Sequence, residues 1–315
     1  MVEIQKSEFK ARRERLLAKM DANSVAIIPA ASEVTRSRDT EYAFRQDSDF
    51  FYLTGFNEPD AVLVLCNNSD TPSTLFCLDK DKLAEIWHGR RIGFEKAKNE
   101  YLFDETYALS ELTEQLLDLV NGQQILFYAQ GAYPSFDTKV FTLLNTLRSA
   151  PKKGYQAPST IKDVRALIHE MRLFKSPSEV NIMREGCEIS ARGHMRAMRY
   201  SHPGATEFQL EAELHHHYAM NGAPHPAYGT IVGSGDNANI LHYTQNSDVL
   251  KDGDLVLIDS GCELQGYAAD ITRTFPVNGK FSEPQAALYN IVLKAQKVAF
   301  EAVKPGVFMS HPNKR

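Results

Sequence analysis

Residues 255–275, Leu-Val-Leu-Ile-Asp-Ser-Gly-Cys-Glu-Leu-Gln-Gly-Tyr-Ala-Ala-Asp-Ile-Thr-Arg-Thr-Phe, set two carboxylates, Asp259 and Asp270, into strand-like apolar sequence. A tight antiparallel turn centred on Leu264-Gln265 places Asp259 directly opposite Asp270. Opposed residues on one face of a sheet have Cβ atoms about 4.5–5.5 Å apart, where like charges repel. A bridging divalent cation relieves that repulsion, and hard oxygen ligands suit Mn²⁺ or Mg²⁺, singly or as a pair about 3.5–4 Å apart. The other arrangement open to these residues is a bulge that breaks the register, leaving Asp259 as a strand-end cap and Asp270 in solvent. An uncompensated carboxylate in a buried strand is costly, which weighs towards the cation.

Two further clusters invite a chemical reading and resist it. His215-His-His217 lies in a helical pattern, where consecutive side chains point apart and do not converge on a metal; the run reads as a solvated helix face. Arg36, Arg38 and Arg45 are interleaved with Glu33, Asp39 and Glu41, which reads as a salt-bridged loop rather than a binding patch.

The elements that must position these groups follow from apolar spacing and breakers. A helical pattern through Phe9, Leu16, Leu17 and Met20 precedes strand-like runs at 25–28, 50–53, 61–65 and 74–77. A helix opens at Ser110 and ends near Asn121-Gly122, a strand follows at 125–128, and Phe136, Val140, Leu143, Leu144 and Leu147 share one face of another helix. Breakers and charge at 150–159 and a helical bridge at 161–173 close an α/β domain over 1–174. Ser176-Pro-Ser-Glu179 is a complete helix start and opens a second domain over 175–315. That domain has the α+β pattern: two helices, strands at 230–232, 240–243, 255–258 and 267–275, and a last helix opened by Ser282 with Leu288, Ile291, Val292 and Val298 on its apolar face.

Composition bounds the function classes. The 315 residues are 43% apolar and 24% charged, which fits a globular protein and excludes long disorder. A net charge of -5 supplies no global attraction to nucleic acid or anionic membrane, so a small molecule or peptide is the expected partner. No apolar run reaches membrane-span length and the amino terminus has no apolar signal core, so a cytoplasmic location is expected. The four cysteines form no C-x-x-C pair, which argues against a disulfide framework or a thiolate zinc site.

Asp259-Ser-Gly-Cys followed by Gly266-Tyr-Ala-Ala-Asp-Ile-Thr-Arg-Thr-Phe275 resembles the metal-binding hairpin of the creatinase and aminopeptidase P family, the "pita-bread" metallopeptidases. Ile231-Val-Gly-Ser-Gly235 and Leu241-His-Tyr-Thr-Gln-Asn246 resemble its substrate-side loops, and His169-Glu-Met-Arg-Leu-Phe-Lys-Ser-Pro177 its domain junction. Residues 42–59 and Glu85-Ile-Trp-His-Gly-Arg-Arg91 resemble its bacterial members. The resemblance implies an α/β amino-terminal domain before a pita-bread catalytic domain, two Mn²⁺ ions with a bridging hydroxide, and release of an amino-terminal residue that precedes proline. It also implies a homo-oligomer, with Asp259 and Asp270 as metal ligands and His242 as a catalytic residue at the substrate carbonyl or leaving group. Tyr228 and Trp87 become substrate-binding candidates, Trp87 by reaching a neighbouring subunit's site. The residues alone offer plainer readings: His242 packed in a strand, Tyr228 serving packing, and the lone Trp87 in a core.

The sequence departs from the family pattern beyond Asp270. The family's remaining ligands are one histidine and two glutamates, whereas the only candidates there are Glu283, Glu301 and His311, none in a matching motif. The expectation is a catalytic domain incomplete in this chain, weak metal binding and little or no peptidase activity alone. A non-catalytic binding or oligomerisation module and a prolidase-type dipeptidase are the competing functions.

Overall fold

In the computed structural model, which describes residues 3–307, Cα packing separates one unit up to Val180 from another beginning at Asn181. The first unit runs α1 (Lys6–Leu17), β1 (Ser24–Pro29), an exposed hairpin of β2 (Thr35–Ser37) and β3 (Thr40–Glu41), α2 (Ser48–Thr54), β4 (Val62–Cys66) and β5 (Ser73–Cys77). It continues with α3 (Lys82–His88), α4 (Phe94–Tyr101), β6 (Glu105–Ala108), α5 (Leu112–Val120), β7 (Ile125–Tyr128), α6 (Pro134–Ser149), β8 (Thr160–Lys162) and α7 (Arg165–Leu173). Six strands form one sheet in the order β6-β5-β4-β1-β7-β8, parallel except where β4 runs against both neighbours. Helices cover both faces, so β1 is buried throughout and reads Val-Ala-Ile-Ile at 25–28 instead of alternating with polar residues. Ala26 and Ile28 pack with Leu16, Leu53 and Ile168 on one side; Val25 and Ile27 pack with Leu116, Val140 and Leu144 on the other.

Three sequence expectations change here, the first being that Ile161 and Lys162, read as the start of a helical bridge over 161–173, pair with β7 as strand β8, so that the helix begins at Arg165. Residues 50–53, aromatic and strand-like, lie in α2, because Asp47 accepts hydrogen bonds from Asp49 N and Phe50 N at 2.9 and 2.8 Å and Gly55 stops the helix at φ 59°. A side-chain cap and a left-handed stop override the strand propensity of Phe-Phe-Tyr-Leu. Trp87 is not a core residue: on α3 it is 77% exposed, beside exposed Leu83 and Ile86.

α1 also buries two arginines, each 1% exposed. Arg12 bonds Tyr52 O at 3.1 Å and pairs with Glu8 at 2.6 Å and Glu179 at 3.4 Å. Arg13 has no carboxylate in hydrogen-bond contact; it donates to Leu53 O at 3.0 Å, Tyr101 O at 3.0 Å and Leu102 O at 2.7 Å. These carbonyls end α2 and α4, where the helix dipoles concentrate negative charge. Burial lowers the Arg13 pKa to about 10, against the opposing pull of Asp104 and Glu14, and leaves it charged at neutral pH.

The helix α8 (Pro177–Tyr200) crosses the division between the units. Its start is closed reciprocally, with Ser176 N donating to Glu179 Oε2 at 2.8 Å and Glu179 N to Ser176 Oγ at 3.2 Å. There follow α9 (Glu207–Met220), β9 (His225–Pro226), β10 (Ile231–Ser234), β11 (Leu255–Asp259), β12 (Cys262–Leu264), β13 (Tyr267–Ala268), β14 (Thr272–Pro276) and α10 (Glu283–Ala302). Strands β10, β11 and β14 form one antiparallel sheet, and β13, β12 and β9 a second. On α10, Leu288, Ile291 and Val292 are 61–66% exposed. No helix among the described residues is long and apolar enough to cross a membrane.

Candidate metal centre

Strands β11 to β14 make one long hairpin with a constant register: Leu264 pairs with Tyr267, Glu263 with Ala268, and Asp259 with Thr272. The turn is Gln265-Gly266, at φ 50° and 80°, so a turn centred on Leu264-Gln265 does not form and Asp259 is not directly opposite Asp270. The two-residue turn that matches strand twist needs positive φ at both central positions. Glycine accepts that readily, whereas Leu264, buried as a strand residue, would be strained. Asp270 therefore lies diagonal to Asp259 on the same face. Diagonal neighbours are about 7–8 Å apart along the backbone, within reach of each other's side chains.

Tyr228 joins the two. Its hydroxyl donates to Asp259 Oδ1 at 2.6 Å and stands 3.3 Å from Asp270 Oδ1. One proton serves one acceptor at a time, and the shorter contact takes it. Burial first, and then the two carboxylates, push the phenol pKa upward, so the group remains a donor. Asp259 is half-buried and Asp270 exposed. Two hard-oxygen carboxylates that share one face and one hydroxyl fit a divalent cation of the Mg²⁺ or Mn²⁺ type. Among the described residues, no group of three or more His, Cys, Asp or Glu side chains is placed to hold a metal. Glu283 and Glu301 are exposed on α10, and His311 lies outside the described residues.

The strand period separates this face from the interior: Leu257 and Asp259 are half-buried, whereas Val256, Ile258 and Ser260 are buried. Ser260 uses all its polar groups. Its N donates to Ile271 O at 3.1 Å, its carbonyl is 3.0 Å from His194 Nε2, and its hydroxyl meets Tyr218 Oη and Thr230 Oγ1, both at 3.1 Å. Thr230 passes the chain on to His215 Nε2 at 2.8 Å. His215 is thus half-buried and engaged, not part of a uniformly solvated face, while His216 is exposed. At Gly261 the strands meet so closely that a Cβ would lie 1.7 Å from Ala269 O, so no other residue fits.

His242 is exposed in a turn that follows the short 3₁₀ segment Gly235–Asn239, which excludes the strand expected at 240–243 and the reading of a packed histidine. Tertiary bonds hold the loop in that shape. Glu207, fully buried on the first turn of α9, accepts from Ser234 N at 2.7 Å, Ser234 Oγ at 2.9 Å, Asn237 Nδ2 at 3.1 Å, Tyr243 Oη at 2.8 Å and Asp248 N at 3.0 Å. Burial alone would raise the carboxyl pKa; the hydrogen bonds from Asp248, Ser234, Asn237 and Tyr243 outweigh it and hold the pKa below the ordinary value. Asn246, at φ 50°, accepts from Val232 N at 2.9 Å and donates to Thr230 O at 2.8 Å, pinning the same loop to β10. Sequence reasoning found the helix start at Thr206 but not Glu207, whose partners lie 27 to 41 residues away. Tyr228, Asp259 and Asp270 are thus brought together; His242 is on a neighbouring loop without a hydrogen bond to them, and Trp87 belongs to the amino-terminal unit.

Residues 181–314 match metallopeptidase family M24, and residues 9–128 match the aminopeptidase P N-terminal domain. The chain is 50% identical over 308 residues to Xaa-Pro aminopeptidase of Escherichia coli (strain K12), covering 97% of this chain and 70% of that protein. It is 41% identical over 314 residues to Xaa-Pro aminopeptidase of Haemophilus influenzae, covering 99% of this chain and 70% of that protein. Zinc-substituted E. coli aminopeptidase P in complex with product is similar at a TM-score of 0.97 and 48% identity, covering 99% of this chain and 71% of that one. With both family matches and these relatives, the chain belongs to the bacterial-type Xaa-Pro aminopeptidases, metallopeptidases of family M24 that work with a divalent metal.

Proposed function

We propose that this chain is built to remove an amino-terminal residue preceding proline, with Asp259 and Asp270 holding Mn²⁺ and the fold divided functionally into residues 1–174 and 175–315. The observation that carries the reading is the single Tyr228 hydroxyl shared by two carboxylates on one face. Such an ion supplies an acidified water as nucleophile and polarises the scissile carbonyl. The chain's own groups do the rest. Tyr228 occupies Asp259 Oδ1 and so leaves Asp259 Oδ2 and the Asp270 oxygens for the cation. His242, exposed on its turn, donates a proton or hydrogen bond at the substrate carbonyl or leaving nitrogen. Trp87, outward on α3, contributes to substrate binding in a homo-oligomer.

A second reading draws on the donor count. Two carboxylates completed by water hold a divalent ion weakly, with dissociation constants on the order of 10⁻³ M. The 315-residue chain assayed alone is accordingly expected to hydrolyse Xaa-Pro peptides slowly or not at all, and to act as a binding or subunit module. Mn²⁺ titration followed by electron paramagnetic resonance tests the site: Asp259→Asn weakens binding at least about tenfold, equivalent to about 1.4 kcal/mol. Equal Mn²⁺ affinity in wild type and variant removes Asp259 from the ligand set. Hydrolysis of a tripeptide Xaa-Pro-Xaa separates the functions, because a dipeptidase spares it and brisk Mn²⁺-dependent cleavage refutes the weak-activity reading.

A further inference from the structure

His194 lies on α8, 2% exposed, with its Nε2 3.0 Å from Ser260 O and its Nδ1 buried without a partner. The Ser260 carbonyl is the close partner of the ring, and the Ile271 carbonyl, which itself accepts from Ser260 N at 3.1 Å, is a second acceptor near it. A carbonyl can only accept, so at 3.0 Å from Ser260 O the Nε2 carries the hydrogen; the other tautomer would set the Nε2 lone pair against that carbonyl oxygen. Burial favours the neutral ring, with Asp259 and Arg273 as the nearby charges. An aliphatic side chain could fill this volume but could not fix a direction. The carbonyl so held belongs to the peptide between Ser260 and Gly261. That peptide connects the strand bearing Asp259 to the one position where the opposing strand, at Ala269 and Asp270, approaches too closely for any side chain.

Resting on the reading of Asp259 and Asp270 as a cation pair, we propose that His194 is a positioning residue for that pair: its Nε2–H fixes the Ser260–Gly261 peptide and thereby the diagonal placement of the two carboxylates. It touches neither substrate nor metal. The role is that of an outer hydrogen bond orienting ligands through the backbone, whose loss typically lowers metal affinity about 10- to 100-fold.

Three measurements on the full chain test it. In the wild type, ¹⁵N NMR of the histidine side chains should find His194 as the Nε2–H tautomer; an Nδ1–H tautomer overturns the proposal without any variant. His194→Met should speed hydrogen exchange at the Ser260 and Cys262 amides about tenfold or more while α9 keeps its protection, and His194→Gln, which retains a donor at similar reach, should restore the slow rate. Unchanged exchange in His194→Met overturns the proposal; if that variant does not fold, the tautomer decides. Mn²⁺ binding should weaken about 10- to 100-fold in His194→Met and recover in His194→Gln. Wild-type chain that binds no Mn²⁺, with the exchange effect intact, overturns the cation reading and leaves the hold of His194 on the hairpin standing.

Discussion

Arg13→Met lowers the stability of the amino-terminal unit by about 3 kcal/mol, because three carbonyls that end α2 and α4 lose their only strong donor while remaining buried, each at about 1–3 kcal/mol before relaxation. The methionine fills much of the volume, so the loss reports on polar satisfaction rather than on a cavity. Arg13→Lys recovers only part of it, since an ammonium cannot fork to Leu53 O, Tyr101 O and Leu102 O as the guanidinium does. Urea unfolding followed by circular dichroism gives the magnitude. Hydrogen exchange locates it: amides of α1, α2 and α4 lose protection and those of α9 do not. A shift below about 0.5 kcal/mol would place Arg13 among ordinary surface substitutions and refute this account.

Glu207→Ala is expected to have a similar effect, about 3 kcal/mol, in the second unit, since the Ser234 and Asp248 amides and the Asn237 and Tyr243 side chains lose one shared acceptor. The pH dependence identifies the cause. The Glu207 carboxyl is held below its ordinary value in the folded chain, so its contribution is complete above an unfolded pKa of about 4.3 and is lost as pH falls through the folded value. Glu207→Gln therefore flattens the acid limb of the stability–pH curve and lowers the plateau between about pH 6 and 8 by less than Glu207→Ala. An acid limb as steep in Glu207→Gln as in the wild type would assign that titration to other carboxylates.

The register of the hairpin and the type of residues 50–53 were misread in the sequence although both had local remedies. Gln265-Gly266 is the X-Gly pair that a two-residue hairpin turn requires, and counting from it pairs Asp259 with Thr272. Asp47 and Gly55 bracket α2 with a cap and a stop, stronger signals than the aromatic run between them. The capped start at Ser176 and the strands β1, β4, β5, β7, β10 and β11 were legible because each rests on spacing along a few residues. Glu207, His194 and Arg13 were not legible. Each is a polar group whose partners come from loops or helix ends far along the chain, and no period or motif announces a carbonyl that needs a donor.

The place of Trp87 has a spectroscopic consequence. It is the sole tryptophan and it stands 77% exposed on α3, so its emission is already that of a hydrated indole in the native chain. Selective excitation will therefore register little when either core melts. It will respond when something covers α3, by a blue shift and by protection from a soluble quencher, which makes this residue a built-in optical gauge of association instead of folding.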